Sequence, residues 1–215
     1  MNIAERVPAL GAWLLLLLCL VVGARRHRRF QTWLVVLAAS LVGNTWQQVA
    51  PDFALRWWPW LFRQVVYVSL DLALLAAMAQ LLTSGRTRLL ARLIVGGTAL
   101  ATWAAAITPT AYNSFSSSSW VATLMRVDMI VAAGFITLLG LLAWHGRPAA
   151  GLPAAIIGGV ASLRALHVLA LWCWQAPGLR PAGNVFPWLE CLVFAWWLAE
   201  AWPMSAPRRL ARAFV

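Results

Sequence analysis

Apolar positions in this chain come in long runs, broken by short polar segments rather than alternating with them. An α-helix needs roughly 20 apolar residues to cross the hydrocarbon of a bilayer. Runs of about that length fall at 8–24, 32–50, 61–83, 89–108, 118–144, 150–175 and 185–203. The pattern predicts an all-α, polytopic membrane protein, with one seven-helix transmembrane domain over residues 1–215. Short connections place sequential helices side by side. The first run lacks a strongly basic start and a small-residue cleavage site, and Arg25, Arg26, Arg28 and Arg29 follow it directly. It is expected to be a retained helix rather than a signal peptide.

Composition strengthens this reading. The chain is 62% hydrophobic, with a mean hydropathy of +0.76, whereas soluble domains are nearer half apolar. Its net charge of +11 comes from 17 cationic residues, all of them arginine. Such an excess suits nucleic acid only when it forms a patch. Here "GARRHRRF", "SGRTRLLAR" and "APRRLARAFV" each flank an apolar run, so no nucleic-acid partner is expected.

The positions of the arginines orient the bundle. The loops after the first, third and fifth runs carry Arg25, Arg26, Arg28, Arg29, Arg86, Arg88 and Arg147, and the tail carries Arg208, Arg209 and Arg212. The opposite side has Arg6, Arg56 and Arg180. Cytoplasmic loops concentrate arginine, which puts the N-terminus outside and the C-terminus in the cytoplasm. An odd number of spans puts the termini on opposite sides, in agreement with that placement. The expected location is the cytoplasmic (inner) membrane of a bacterium.

Tryptophan adds interface markers. Trp46, Trp57, Trp58, Trp60, Trp120, Trp172, Trp174 and Trp188 fall at the outer ends, and Trp33, Trp144 and Trp202 at the inner ends. Within the outer set, "RWWPW" also reads as a platform for a lipid or another apolar ligand, and membrane lipids are expected partners. The outer loop "TPTAYNSFSSSSW" reads as a connector whose Ser or Thr caps the next helix, with a ligand lid as the alternative.

Polar groups inside the runs carry the candidate chemistry. Charges in a membrane interior cost several kcal/mol, roughly, and usually face protein or water. Arg63, Tyr67 and Asp71 recur every four residues and share one helical stripe. Ser40, Asn44, Gln47 and Gln48 form a polar face on the second run, and Arg164 and His167 lie three apart on the sixth. Glu190 sits in the seventh run and Glu200 nearer the cytoplasm. Arg126 and Asp128, two apart, leave the fifth run about 200° from each other and are poorly placed to pair. Counted inward from the outer ends, these ionisable groups fall in one layer, from mid-membrane outward. The candidate polar cluster or ligand contacts are therefore Gln47, Arg63, Tyr67, Asp71, Arg126, Asp128, Arg164, His167 and Glu190. The bland alternative is a set of interhelical ion pairs that fixes the bundle.

These features weigh the function classes. A seven-helix protein with an outer N-terminus invites comparison with rhodopsins, but covalent retinal needs a lysine and there is none. No cofactor is expected, though bound lipid fits. His27, His145 and His167 are too scattered to converge on a metal, and no GxSxG, HExxH or GxGD occurs. Cys19, Cys173 and Cys191 have no metal spacing; a Cys173–Cys191 disulfide is left open. In topology alone the chain resembles the seven-span sensor regions of bacterial signalling kinases, which implies a sensor. The leading expectation is a non-enzymatic protein: an accessory or assembly subunit of a membrane complex, with other membrane subunits as partners, or such a sensor. The alternatives are a small-molecule or proton-coupled transporter and an intramembrane enzyme acting on a lipid.

Overall fold

The computed structural model describes residues 3–50, 57–108, 117–145, 151–176 and 185–202. Those residues are helical apart from turns, with no strand among them. Seven α-helices follow in order: α1 (Ile3–Arg26), α2 (Gln31–Val49), α3 (Trp57–Leu82), α4 (Arg86–Ile107), α5 (Ser117–Trp144), α6 (Leu152–Gln175) and α7 (Phe186–Ala201). Each coincides with one of the apolar runs. The "TPTAYNSFSSSSW" lid and capping reading falls largely on 109–116, and Arg56, Arg147, Arg180 and the tail arginines likewise lie outside the described residues.

Among the described residues, five helices are long and apolar enough to cross a membrane: α1, α3, α4, α5 and α6. The two that are not have physical reasons. α2 ends in Asn44-Thr45-Trp46-Gln47-Gln48, which lowers its hydropathy, and α7 is only 16 residues long.

Local signals set the helix ends. α3 and α4 are joined by a short turn in which Gly85 has φ +56°, and Gly151 precedes α6 at φ +72°. Only glycine adopts that left-handed backbone readily. Pro153 and Pro187 occupy first-turn positions of α6 and α7, where a missing N–H costs nothing. Between α1 and α2 the chain makes one 3-10 turn, Arg28–Phe30, and Phe30 is buried beneath it. His27 Nε2 lies 3.0 Å from the Ala201 carbonyl, tying this turn to the end of α7.

The helices close into a ring. Each packs on its sequence neighbours, α1 packs on α7, and α3 also touches α5 and α6, which brings α3 toward the middle. The core at one end of the ring is apolar and tight: Leu16, Trp33, Leu37, Leu74, Leu75, Met78, Phe135, Leu138, Ile156 and Trp197 are essentially inaccessible. Trp33 corrects an expectation. It is not an interface marker but a core residue, edge-on to Trp197 with ring centroids 6.0 Å apart. Trp58, Trp144, Trp172, Trp174, Trp188 and Trp202 are exposed, as an aromatic belt requires.

The outside of the ring is as apolar as the inside. Val42, Phe62, Leu93, Leu100, Trp103 and Leu192 are 63–66% exposed. Large side chains of this kind over so much surface are unfavourable in water and neutral in lipid. Together with the five apolar helices, this is the surface of an integral membrane protein.

Candidate functional site

Polar residues on four helices face inward in the other half of the ring. α2 contributes Ser40, Asn44 and Gln47; α3 contributes Arg63, Gln64, Tyr67 and Asp71; α6 contributes Arg164 and His167; α7 contributes Glu190. They line a half-enclosed cavity of about 330 Å³, completed by Val36, Leu70, Val160, Leu163, Pro187, Phe194 and Trp197. Its floor is closed by Val36, Val160 and Trp197, which are buried. Gln47, Arg63 and Pro187 stand at the opposite end, near the C-terminus of α2 and the N-termini of α3 and α7.

Helical spacing builds the wall. Arg63, Tyr67 and Asp71 repeat every four residues and so descend one face of α3. Tyr67 fits only because α2 presents a glycine: a Cβ on Gly43 would lie 1.9 Å from the phenol oxygen. At the floor, Trp197 lies against Gly159, where an added Cβ would meet Nε1 at 2.2 Å, and Nε1 donates to the Ala155 carbonyl at 2.6 Å.

Arg164 is the hub of the buried charges. Its Nε donates to Asp71 Oδ2 at 2.6 Å and its Nη1 donates to Asp128 Oδ1 at 2.8 Å. One guanidinium on α6 thus joins carboxylates from α3 and α5. The second oxygen of Asp128, Oδ2, is 2.6 Å from His167 Nδ1. A carboxylate held by a guanidinium is an acceptor, so we assign the proton of this contact to His167 Nδ1. The Asp128 side chain is 1% exposed and His167 is 27% exposed, so the imidazole is the member that reaches the cavity. Charge-assisted bonds of this length are among the strong ones, and they offset the cost of taking the charges out of water.

The structure separates the predicted site residues into two groups. Asp71, Asp128, Arg164 and His167 touch one another, and Gln47, Arg63, Tyr67 and Glu190 line the cavity beside them. Gln47 Oε1 accepts from Arg63 Nη1 at 3.0 Å. Arg126 stands apart: it is not a lining residue, and its Nη2 is buried without a partner among the described residues. Arg126 and Asp128 do not bond to each other.

No family model, curated protein or solved structure matches this chain. The site must be read from its own geometry.

Sequence reasoning did not single out Trp197, Phe194 or Pro187 as part of the site. The only sequence clue to Trp197 is the Gly158-Gly159 pair opposite, which marks a close approach. The three thiols are free: Cys19 and Cys173 are buried, and Cys191 donates to the Pro8 carbonyl at 3.3 Å. The histidines stay on separate tasks, with His145 Nδ1 at 3.0 Å from the Leu141 carbonyl of its own helix.

Proposed function

We propose that this chain is a non-enzymatic, seven-span membrane receptor that binds a small polar ligand in the cavity between α2, α3, α6 and α7. In this reading the N-terminus is outside and the C-terminus cytoplasmic, so the cavity opens outward. The exposed Arg25, Arg26, Arg28, Arg29, Arg86, Arg88 and Arg92 at the other end favour that orientation. α2 and α7 complete the bundle as short or polar spans, sheltered by packing on α1 and on their other neighbours.

The observation that carries the proposal is the cavity itself. A half-enclosed space of about 330 Å³ is lined by ionisable side chains, although filling it with apolar residues would fix a bundle at lower cost. Small-ligand sites have this size and this mixture of apolar lining with a few polar groups.

Native mass spectrometry of protein extracted from its own membrane tests this. A bound small molecule is expected on the wild type and not on Leu163→Trp, which fills the cavity. A ligand-free wild type, or a ligand retained equally by the filled variant, contradicts the proposal.

A second reading, an accessory subunit, rests on Arg126. A buried guanidinium nitrogen without a partner among the described residues suits a contact with another subunit. Co-purification that is lost in Arg126→Gln, from an isolated protein that stays folded, would favour it.

A further inference from the structure

The charges around the cavity differ in how far their hydrogen-bonding capacity is used. Asp71, Asp128 and Arg164 are committed to one another, and His167 Nδ1 is committed to Asp128. Two charges remain. Arg63 uses Nη1 on Gln47, while its Nε is buried with no partner among the described residues. Glu190 makes no ion pair or hydrogen bond with any described residue, although Arg63 and His167 are within electrostatic reach.

Arg63 and Glu190 have opposite signs, both line the same cavity, and yet they do not pair. The reason is architectural. Arg63 is on α3 and Glu190 on α7, and these helices are not packed neighbours; the cavity lies between them. The fold therefore holds a cation and an anion on opposite walls of a ligand-sized space.

We propose that this cavity is built for a small zwitterion, its anionic end on Arg63 and its cationic end on Glu190. The inference rests on the reading of the cavity as a ligand site. A singly charged ligand would satisfy one wall and leave the other charge unmatched in a low-dielectric site. A zwitterion satisfies both and enters without adding net charge. The ligand class is a primary ammonium and a carboxylate or phosphate a few atoms apart. Leu70, Leu163 and Phe194 offer apolar contact for a short aliphatic part. Two sources share this chemistry: a free amino-acid-like solute, and the phosphoethanolamine headgroup of a membrane lipid.

Thermal unfolding of the full chain in nanodiscs of phosphatidylglycerol tests the proposal. The probes are L-alanine and O-phosphoethanolamine, with acetate and ethylamine as their singly charged counterparts, each at millimolar concentration. At least one zwitterion is expected to raise the unfolding midpoint saturably, and acetate and ethylamine to leave it unchanged. Arg63→Gln and Glu190→Gln should each weaken the response by about tenfold or more, while Glu200→Gln responds as wild type. If either cavity variant fails to fold, Leu163→Trp replaces it and should abolish the response. Nanodiscs containing phosphatidylethanolamine distinguish the sources. A midpoint already raised in them without solute, and lost in Glu190→Gln, identifies the lipid headgroup.

An equal response to acetate or ethylamine overturns the zwitterion proposal but leaves a ligand cavity standing. So does a zwitterion response that neither charge variant weakens. Silence of both zwitterions and of the phosphatidylethanolamine nanodiscs also overturns it, and the mass of any co-purified ligand then decides the receptor reading separately.

Discussion

Arg164 and Asp71, 93 residues apart in the chain, meet inside the bundle with Nε 2.6 Å from Oδ2. The same guanidinium reaches Asp128 with Nη1, so three helices share one positive charge. Removing that charge leaves two carboxylates facing each other in a buried site. Arg164→Leu is expected to destabilise the protein by about 3–5 kcal/mol, the usual cost of breaking a buried pair. Adding Asp71→Asn and Asp128→Asn should recover much of the loss, because no unpaired charge then remains. Thermal unfolding in detergent measures both. An additive triple variant would show that the three residues do not act as a unit.

Arg126 and Asp128 should behave as independent residues. Asp128→Asn keeps one acceptor oxygen but loses the second and the charge between Arg164 and His167, and is expected to lower stability by about 2 kcal/mol or more. Arg126→Gln removes a guanidinium nitrogen that has no partner among the described residues, so the isolated protein should be unchanged or up to about 1 kcal/mol more stable. A double-mutant cycle checks this. A coupling of several kcal/mol would mean that the two residues pair after all, through local distortion of α5.

The contact between α2 and α3 makes a prediction with its own rescue. Gly43→Ala places a methyl 1.9 Å from the Tyr67 hydroxyl and should cost about 1–3 kcal/mol through overpacking. Tyr67→Phe removes that oxygen, and the next atom is 3.1 Å away. Gly43→Ala should therefore be better tolerated in a Tyr67→Phe background than in the wild type. Equal penalties in the two backgrounds would place the strain elsewhere.

Much of this architecture is legible in the sequence. Seven apolar runs mark seven helices, because continuous apolar runs of that length have few other folded outcomes. Helical periodicity also gives faces: the Arg63–Tyr67–Asp71 stripe does line one wall. Pairing is harder to read, because spacing fixes the direction of a side chain around its own axis and not how neighbouring helices are rolled. For Asp128 the sequence leaves open Arg164 or an arginine of another subunit; the packing of α5 on α6 selects Arg164 and adds His167. Trp33 misled for a related reason. A tryptophan one turn inside a helix reads as an interface anchor, but the tight α1–α2 turn folds it under α7 against Trp197. Gln64, 5% exposed, lies off the Arg63–Tyr67–Asp71 stripe, and Trp197 is apolar, so their part in the cavity emerges from the assembled helices.

Topology has a separate check. In a background free of native cysteines, Arg28→Cys should react only with reagents that reach the cytoplasm, and Phe115→Cys only from outside. The opposite pattern would invert the bundle and turn the mouth of the cavity to the cytoplasm.

The central claim is that a polar, solvent-reachable cavity lies inside an otherwise lipid-facing bundle. Ser40 and Val42 are two residues apart on α2: Ser40 lines the cavity, and Val42 is 66% exposed on the outer surface of the ring. Cysteine at each position, in the cysteine-free background, is treated in intact membranes with a small, membrane-impermeant thiol reagent added from outside. Reagents of this kind need water to reach and ionise a thiol. Rapid labelling of Ser40→Cys is expected, with Val42→Cys protected by lipid despite its greater exposure on the bare protein. Protection of Ser40→Cys, or faster reaction at Val42→Cys, would contradict it.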